Sequence, residues 1–321
     1  KITSLSLEAL TTKLYLTGNI LNLLEFDKMK ILADIKKSVL NPQDIHTIMP
    51  GLNLSKFLDF PTVTIDSLGF YGAPLTFKGG AGLRSDNGNI SGTYSFDFSK
   101  PQSLYEIDLN TENLNISKYI NFPVNLTSKI RAKGSGFNPE NAVFELDFDG
   151  TKSLAGKYLF DKLSLKTKGS SGKIGLELKT VLGVQNGELS GEIDFSNMKR
   201  PLYSITSAFN NVDLEYFIGD SSLSSALNFT FDAEGEGFEP NDMILSANLN
   251  LLDTRIKGDS LGEIDASIKL FATPDMQKDI FITSNLFTIS AAGTFDYGTL
   301  GNSLSRESNK LVADVTQILL N

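Results

Sequence analysis

The sequence predicts an all-β protein, an elongated, repeat-built, curled antiparallel sheet with one short helix near residues 42–49. Three observations predict it. Apolar residues recur with period two rather than three to four, the pattern of strands with one dry and one wet face. Turn-forming dipeptides punctuate the chain at short intervals. Whole blocks of sequence return roughly one hundred residues later, the first copy sooner, after 114 − 52 = 62, too long a period for solenoid coils or propeller blades.

The helix is signalled by Asn41 ahead of Pro42, Gln43 and Asp44, because proline at the first helical position loses no hydrogen bond. Ile45, Ile48 and Met49 follow, and Pro50-Gly51 ends it. Strands are read from alternation. Phe144, Leu146 and Phe148 alternate with Glu145, Asp147 and Asp149, and Ile174, Leu176 and Leu178 repeat the pattern. Leu189, Gly191, Ile193 and Phe195 continue it. Leu227, Phe229, Phe231 and Ala233 alternate with Asn228, Thr230, Asp232 and Glu234, and Ile264, Ala266, Ile268 and Leu270 with Asp265, Ser267 and Lys269. Asn87-Gly88, Asp149-Gly150, Lys168-Gly169, Ser171-Gly172 and Asn186-Gly187 read as tight hairpin turns, so the strands form a meander. Leu311, Val312, Val315, Ile318 and Leu319 suit a last amphipathic helix or, being rich in β-branched residues, a further strand.

Self-comparison organises these elements. Leu52-Asn-Leu-Ser-Lys-Phe-Leu-Asp-Phe-Pro61 reappears as Leu114-Asn-Ile-Ser-Lys-Tyr-Ile-Asn-Phe-Pro123, and more weakly as Val212-Asp-Leu-Glu-Tyr-Phe-Ile218. Asn87-Gly-Asn-Ile-Ser-Gly92 returns as Asn186-Gly-Glu-Leu-Ser-Gly191, and Ala132-Lys-Gly-Ser-Gly-Phe-Asn-Pro139 as Ala233-Glu-Gly-Glu-Gly-Phe-Glu-Pro240. The expected organisation is one elongated repetitive region over 1–321, an internal fragment of a longer chain, with units at 13–86, 87–185 and 186–300 and an ambiguous tail at 301–321. The alternative architecture is a closed sandwich, with the same apolar faces packed sheet on sheet.

Composition excludes several functions. Lys and Arg number 29 against 38 Asp and Glu, a net charge of −9, so a phosphate backbone repels the chain and nucleic acid is not an expected partner. Without Cys there is no disulfide framework, thiolate metal site or cysteine nucleophile, and His46 is the only His. No polar constellation converges, so the expectation is a non-enzyme with no cofactor and no metal. No segment approaches the ~20 consecutive apolar residues of a membrane-spanning helix. The chain starts at Lys1 without a basic-then-apolar leader, which places any targeting segment upstream.

Three recurring features resemble the periplasmic repeat region of the AsmA-like proteins, and among them the TamB-like translocation and assembly module proteins. They are Gly-x-Gly-Phe-x-Pro at Gly134–Pro139 and Gly235–Pro240, the small-residue-Gly hairpins at Ser190–Phe195 and Ala291–Asp296, and the aliphatic-Asn/Asp-aliphatic step at Leu52, Leu114 and Val212. The resemblance covers roughly residues 13–300 and rests on repetition rather than on a diagnostic residue. It implies a β-taco-like groove with apolar walls, a periplasmic location, and a tether to the inner membrane through a segment absent from this chain. It also implies passage of phospholipid between inner and outer membranes, or assembly of outer-membrane proteins. The groove candidates are Phe144, Leu146, Phe148, Leu165, Leu176, Leu189, Ile193, Leu227, Phe229, Phe231 and Ile268. The expected partners are phospholipid acyl chains and, on the second reading, outer-membrane assembly proteins or clients pairing with a sheet edge. The third reading is a closed-sandwich structural or adhesion module.

Other features read more simply. Lys152, Lys157, Lys162, Lys166, Lys168 and Lys173 form a basic cluster suited to anionic headgroups or, more plainly, to a solvated sheet face. Asp232, Glu234, Glu236, Glu239 and Asp242 lack the spacing of a calcium loop. Asn115-Ile-Ser117 and Asn228-Phe-Thr230 are short enough to arise by chance.

Overall fold

A computed structural model describes residues 4–22, 24–48, 61–138, 140–239, 242–272, 278–285 and 288–296. The first repeat block's earlier copy, apart from its last residue Pro61, and the 301–321 tail lie outside the described residues. The chain divides into two compact units, Lys1–Glu188 and Leu189–Asn321.

In the first unit the strands are β1 (Ser4–Ala9), β2 (Thr12–Leu21), β3 (Lys30–Leu40), β4 (Val63–Ala73), β5 (Thr76–Ser85), β6 (Gly88–Asp97), β7 (Leu104–Asn115), β8 (Val124–Ser135), β9 (Val143–Ala155), β10 (Tyr158–Ser170) and β11 (Lys173–Leu182). Helix α1 (Pro42–Ile48) follows β3 and helix α2 (Ser117–Ile120) joins β7 to β8. Every strand pairs antiparallel with its sequence neighbour. Strand β12 (Gln185–Asp194) runs into the second unit, which holds β13 (Leu202–Val212), α3 (Leu214–Ile218), β14 (Ser225–Glu236), β15 (Ile244–Ile256), β16 (Asp259–Ala272), β17 (Lys278–Ser284) and β18 (Thr288–Gly293). From β13 to β18 the pairing is again antiparallel between neighbours. Among the described residues no pairing closes either meander into a barrel. The all-β antiparallel architecture is therefore the one that alternation predicts.

Three details differ from the sequence expectation. The repeated block at Leu114 and Val212 folds into α2 and α3, so α1 is not the single helix. Both turns are built alike. The Asn115 side chain accepts from the Ser117 N–H (3.0 Å) as Asp213 does from Glu215 (3.1 Å), and left-handed Asn121 and Gly219 end the helices. Asp149-Gly150 and Lys168-Gly169 are not turns but lie inside β9 and β10, where aromatic rings occupy the space a side chain would need. Asn186-Gly187 sits inside β12, after the turn at Gly183-Val184.

Bulges punctuate the strands with the same period. Lys37 in β3, Lys152 in β9 and Asp253 in β15, each six strands after the last, adopt left-handed φ angles of 50°, 47° and 44°. Each is followed by a hydroxyl residue buried almost completely, Ser38, Ser153 and Thr254. The register shift leaves an N–H on the preceding strand without a ladder partner, and the hydroxyl supplies one. Tyr15 N–H donates to Ser38 Oγ (2.9 Å), Thr127 N–H to Ser153 Oγ (3.2 Å) and Asn228 N–H to Thr254 Oγ1 (3.4 Å).

Helix α1 is fixed to the first hairpin by Asp44. Its carboxylate accepts from the N–H groups of Thr11 (2.9 Å) and Thr12 (2.7 Å) and from the Thr11 hydroxyl (2.8 Å). Desolvation pushes the Asp44 pKa up, but the threonine hydrogen bonds outweigh it and leave the carboxyl below its ordinary value. A depressed folded-state pKa stabilises the fold above the unfolded carboxylate value of about 3.9 and is lost as pH falls through the folded value. The melting-temperature gap between wild type and Asp44→Asn should thus be full at pH 7 and close as pH is lowered below about 4. Ser153→Ala should cost about 1–3 kcal/mol in denaturant unfolding, against about 0.5 kcal/mol or less for exposed Ser170→Ala.

Candidate functional site

Strand register assembles the apolar residues into rows that run across the sheet. In the first unit one row is Phe77, Phe96, Tyr105, Gly134, Phe144, Gly169 and Ile174. The next is Gly79, Tyr94, Ile107, Ala132, Leu146, Thr167 and Leu176, and the third is Ala81, Gly92, Leu109, Ile130, Phe148, Leu165 and Leu178. Phe144, Leu146, Phe148, Leu165 and Leu176 therefore share one face, as alternation alone requires. In the second unit the rows include Tyr203, Gly235, Leu245, Leu270 and Ile280, then Ile205, Ala233, Ala247, Ile268 and Ile282. Phe231 and Phe229 lie further along the same face of β14.

These side chains are half-buried, including Leu189 and Ile193 on β12, Phe229, Phe231 and Ile268. Among the groove candidates Leu227 is the exception: it is buried near the start of β14, so it takes no part in an open surface, and Ala233, Ala247 and Ile280 of the second-unit rows are buried as well. The four largest fully buried side chains are Thr12, Ser38, Ser153 and Thr254, not Phe or Leu. A closed sandwich interdigitates two apolar faces and buries their Leu and Phe. Among the described residues that core is missing, and the apolar rows stay partly open to solvent.

Aromatic rings fill the gaps that glycines leave in the rows. Tyr105 and its counterpart Tyr203 lie over Gly134 and Gly235, where a Cβ would come within 2.7 and 2.5 Å of the tyrosine hydroxyls. Phe137 and Phe238 stack on those same tyrosines, with ring centroids 5.1 and 5.4 Å apart. The Gly-x-Gly-Phe motif thereby acquires a physical reading. Its first glycine makes room for the tyrosine, its second adopts φ of 72° (Gly136) or 78° (Gly237), and its phenylalanine covers the ring. Burial pushes the Tyr94, Tyr105 and Tyr203 hydroxyls up in pKa. These tyrosines are absent from the sequence-derived candidates. Their signal was a further repeat, Leu104-Tyr-x-Ile107 and Leu202-Tyr-x-Ile205.

The opposite face of the first unit is charged and internally paired. Lys133 meets Glu145 (2.9 Å), Lys168 meets the same carboxylate (3.3 Å), and Arg131 lies between Asp147 (3.8 Å) and Asp149 (3.6 Å). Lys133 and Lys168 hold the Glu145 carboxyl below its ordinary pKa. Lys162, Lys166, Lys168 and Lys173 of the basic cluster stand on this face, while Lys152 pairs with Asp161. A depression of about 720 Å³ also opens here, bordered by Lys78, Glu106, Arg131 and Lys133. Its charges are largely spent on one another. Among the described residues no three or more His, Asp and Glu side chains could together hold a metal ion. The arrangement offers apolar surface rather than reactive groups.

No family model, curated protein or solved structure matches the chain.

Two glycine substitutions separate backbone from side-chain crowding. A Cβ at Gly134 would fall 2.4 Å from the Val143 carbonyl oxygen, whereas one at Gly169 would fall 2.1 Å from Phe144 Cε1. Each Gly→Ala change should cost about 1–3 kcal/mol in denaturant unfolding. Adding Phe144→Leu should recover stability in Gly169→Ala but not in Gly134→Ala, a difference a double-mutant cycle reads directly.

Proposed function

We propose that this chain is a non-enzymatic segment of a periplasmic bridge that shields phospholipid acyl chains on its apolar sheet face during passage between the inner and outer membranes. The observation that carries the reading is the set of registered apolar rows, half-buried and with no second layer closing over them among the described residues. Large open apolar surface on a folded protein marks a place where something apolar binds. Burying a methylene is worth about 0.8 kcal/mol, so a sixteen-carbon chain outside a membrane needs on the order of 12 kcal/mol of shelter. No single patch supplies that. Rows of Leu, Ile and Phe continued from strand to strand do, and because the attraction has no preferred direction the lipid slides without breaking specific bonds. The periplasmic location and the choice of phospholipid as cargo also rest on the resemblance to AsmA-like repeats.

Photo-crosslinking residues placed singly at Phe144, Leu176, Phe229 and Ile268 should yield lipid adducts at all four positions in mass spectrometry. Adducts with outer-membrane polypeptides would replace lipid passage by assembly, and purely intramolecular adducts would leave neither. Leu176→Asp should abolish lipid adducts at neighbouring positions while retaining the β-sheet circular dichroism signal, since an open face, unlike a closed core, can hydrate the charge.

A further inference from the structure

The charged face of the first unit carries a concavity that the apolar rows do not use. The depression of about 720 Å³ adjoins a second of about 740 Å³, and the two share Ser95, Glu106, Lys133 and Glu145. Together they make one trough across β5 to β9. Its floor is low because Gly80 carries no side chain, and Thr93 and Ser95 on the next strand carry short ones. Tyr71 stands at its border, and its hydroxyl donates to Asp34, which holds the ring in place. In the second depression Leu104 and Val143 are 45% and 49% exposed on a face that is otherwise polar.

We infer that this trough binds an uncharged polyhydroxylated chain, an oligosaccharide of neutral sugars. In the first depression three cations, Lys78, Arg131 and Lys133, stand among four carboxylates, so net charge favours neither an anionic nor a cationic ligand. A carboxylate held by an ion pair keeps lone pairs for further donors, and a hydrogen bond with one charged partner is about twice as strong as a neutral one. The side chains of Lys78, Thr93 and Ser95 have no hydrogen-bond or ion-pair partner among the described residues. Sugar hydroxyls donate and accept at once and so match this mixed set. The C–H faces of a sugar need apolar ground, which Tyr71, Leu104 and Val143 supply. A polypeptide fits less well, because its amides ask for ladder partners and each strand from β5 to β9 is already paired on both sides.

The internal repeat points the same way. Both copies keep the tyrosine, glycine and phenylalanine packing of the apolar rows, but Arg131 and Lys133 correspond to Asp232 and Glu234, and Glu106 and Asp108 to Ser204 and Thr206. Across the ladder Glu145 and Asp147 give way to Ser246 and Asn248. Register asks only that these positions be polar. The balanced charges therefore belong to the first of the two copies, as a site would, and are no requirement of the sheet. The trough lies on the face opposite the lipid rows, and neither occupant needs the other.

The full chain should be presented to an array of neutral and acidic hexasaccharides and to an uncharged Gly-Ser-Asn peptide. At least one neutral hexasaccharide should bind saturably at pH 7. Glu106→Gln should weaken that binding about tenfold. Thr93→Trp, at an exposed strand position that accepts an aromatic, should abolish it by filling the floor. Thr206→Trp, on the corresponding face of the second unit, should leave it unchanged, with thermal melts confirming that all three variants fold. Failure of every neutral hexasaccharide to bind, binding confined to acidic sugars or to the peptide, or binding that survives Thr93→Trp overturns the oligosaccharide site. Lipid adducts at Leu176 are read separately and are untouched by any of these results.

Discussion

Backbone pairing between consecutive strands is the interaction on which this structure depends. A domain of ordinary design holds its sheet by pressing one apolar face against a second layer, and here most of the large apolar side chains of the rows stay half-buried. Stability must come from the antiparallel ladder and from cross-strand contacts within one face, such as Phe209 on Phe229 (5.1 Å) and Phe70 on Phe77 (4.4 Å). The price of that arrangement is that every break in the ladder has to be repaired locally. The hydroxyls of Ser38, Ser153 and Thr254 do this at the bulges, which is why the most deeply buried side chains are polar.

The same constraint explains the charged face. With neighbours on two sides only, cations on β8 and β10 reach carboxylates across the ladder, as Lys133 and Lys168 reach Glu145. Exposed pairs of this kind contribute little to stability, about 0–1 kcal/mol each. Their effect is on register. A slip of one residue would turn Lys133 toward the apolar rows and Ala132 toward water, a penalty repeated on each strand.

Much of this was legible in the sequence because alternation is a local property. Phe144, Leu146 and Phe148 had to share a face whatever the fold, and the Gly-x-Gly-Phe repeats marked equivalent hairpins by their spacing alone. What remained hidden depends on partners distant in sequence. Gly150 and Gly169 look like turn residues, yet they are strand residues facing phenylalanine rings, and no local pattern records the ring. Ser153 and Thr254 look like ordinary polar strand positions, because a bulge depends on the register of the adjoining strand. Leu227 alternates with its neighbours as an open-face residue should, but it is buried at the start of its strand. Asn115 and Asp213, whose side chains accept from the N–H two residues on, were visible as an Asn/Asp step, without the helical turn that follows.

The recurrence of bulge, helical turn and glycine hairpin every six strands has an evolutionary corollary. Cut points such as Gly134 and Gly235 occupy equivalent places in the ladder, so unequal recombination between them would remove or insert a complete six-strand module and rejoin compatible edges. A globular core would be ruptured by such an event. A ladder whose bulges and turns are each repaired within the module keeps the hydrogen bonds of every strand that remains, so change comes by whole modules rather than by redesign of any one of them.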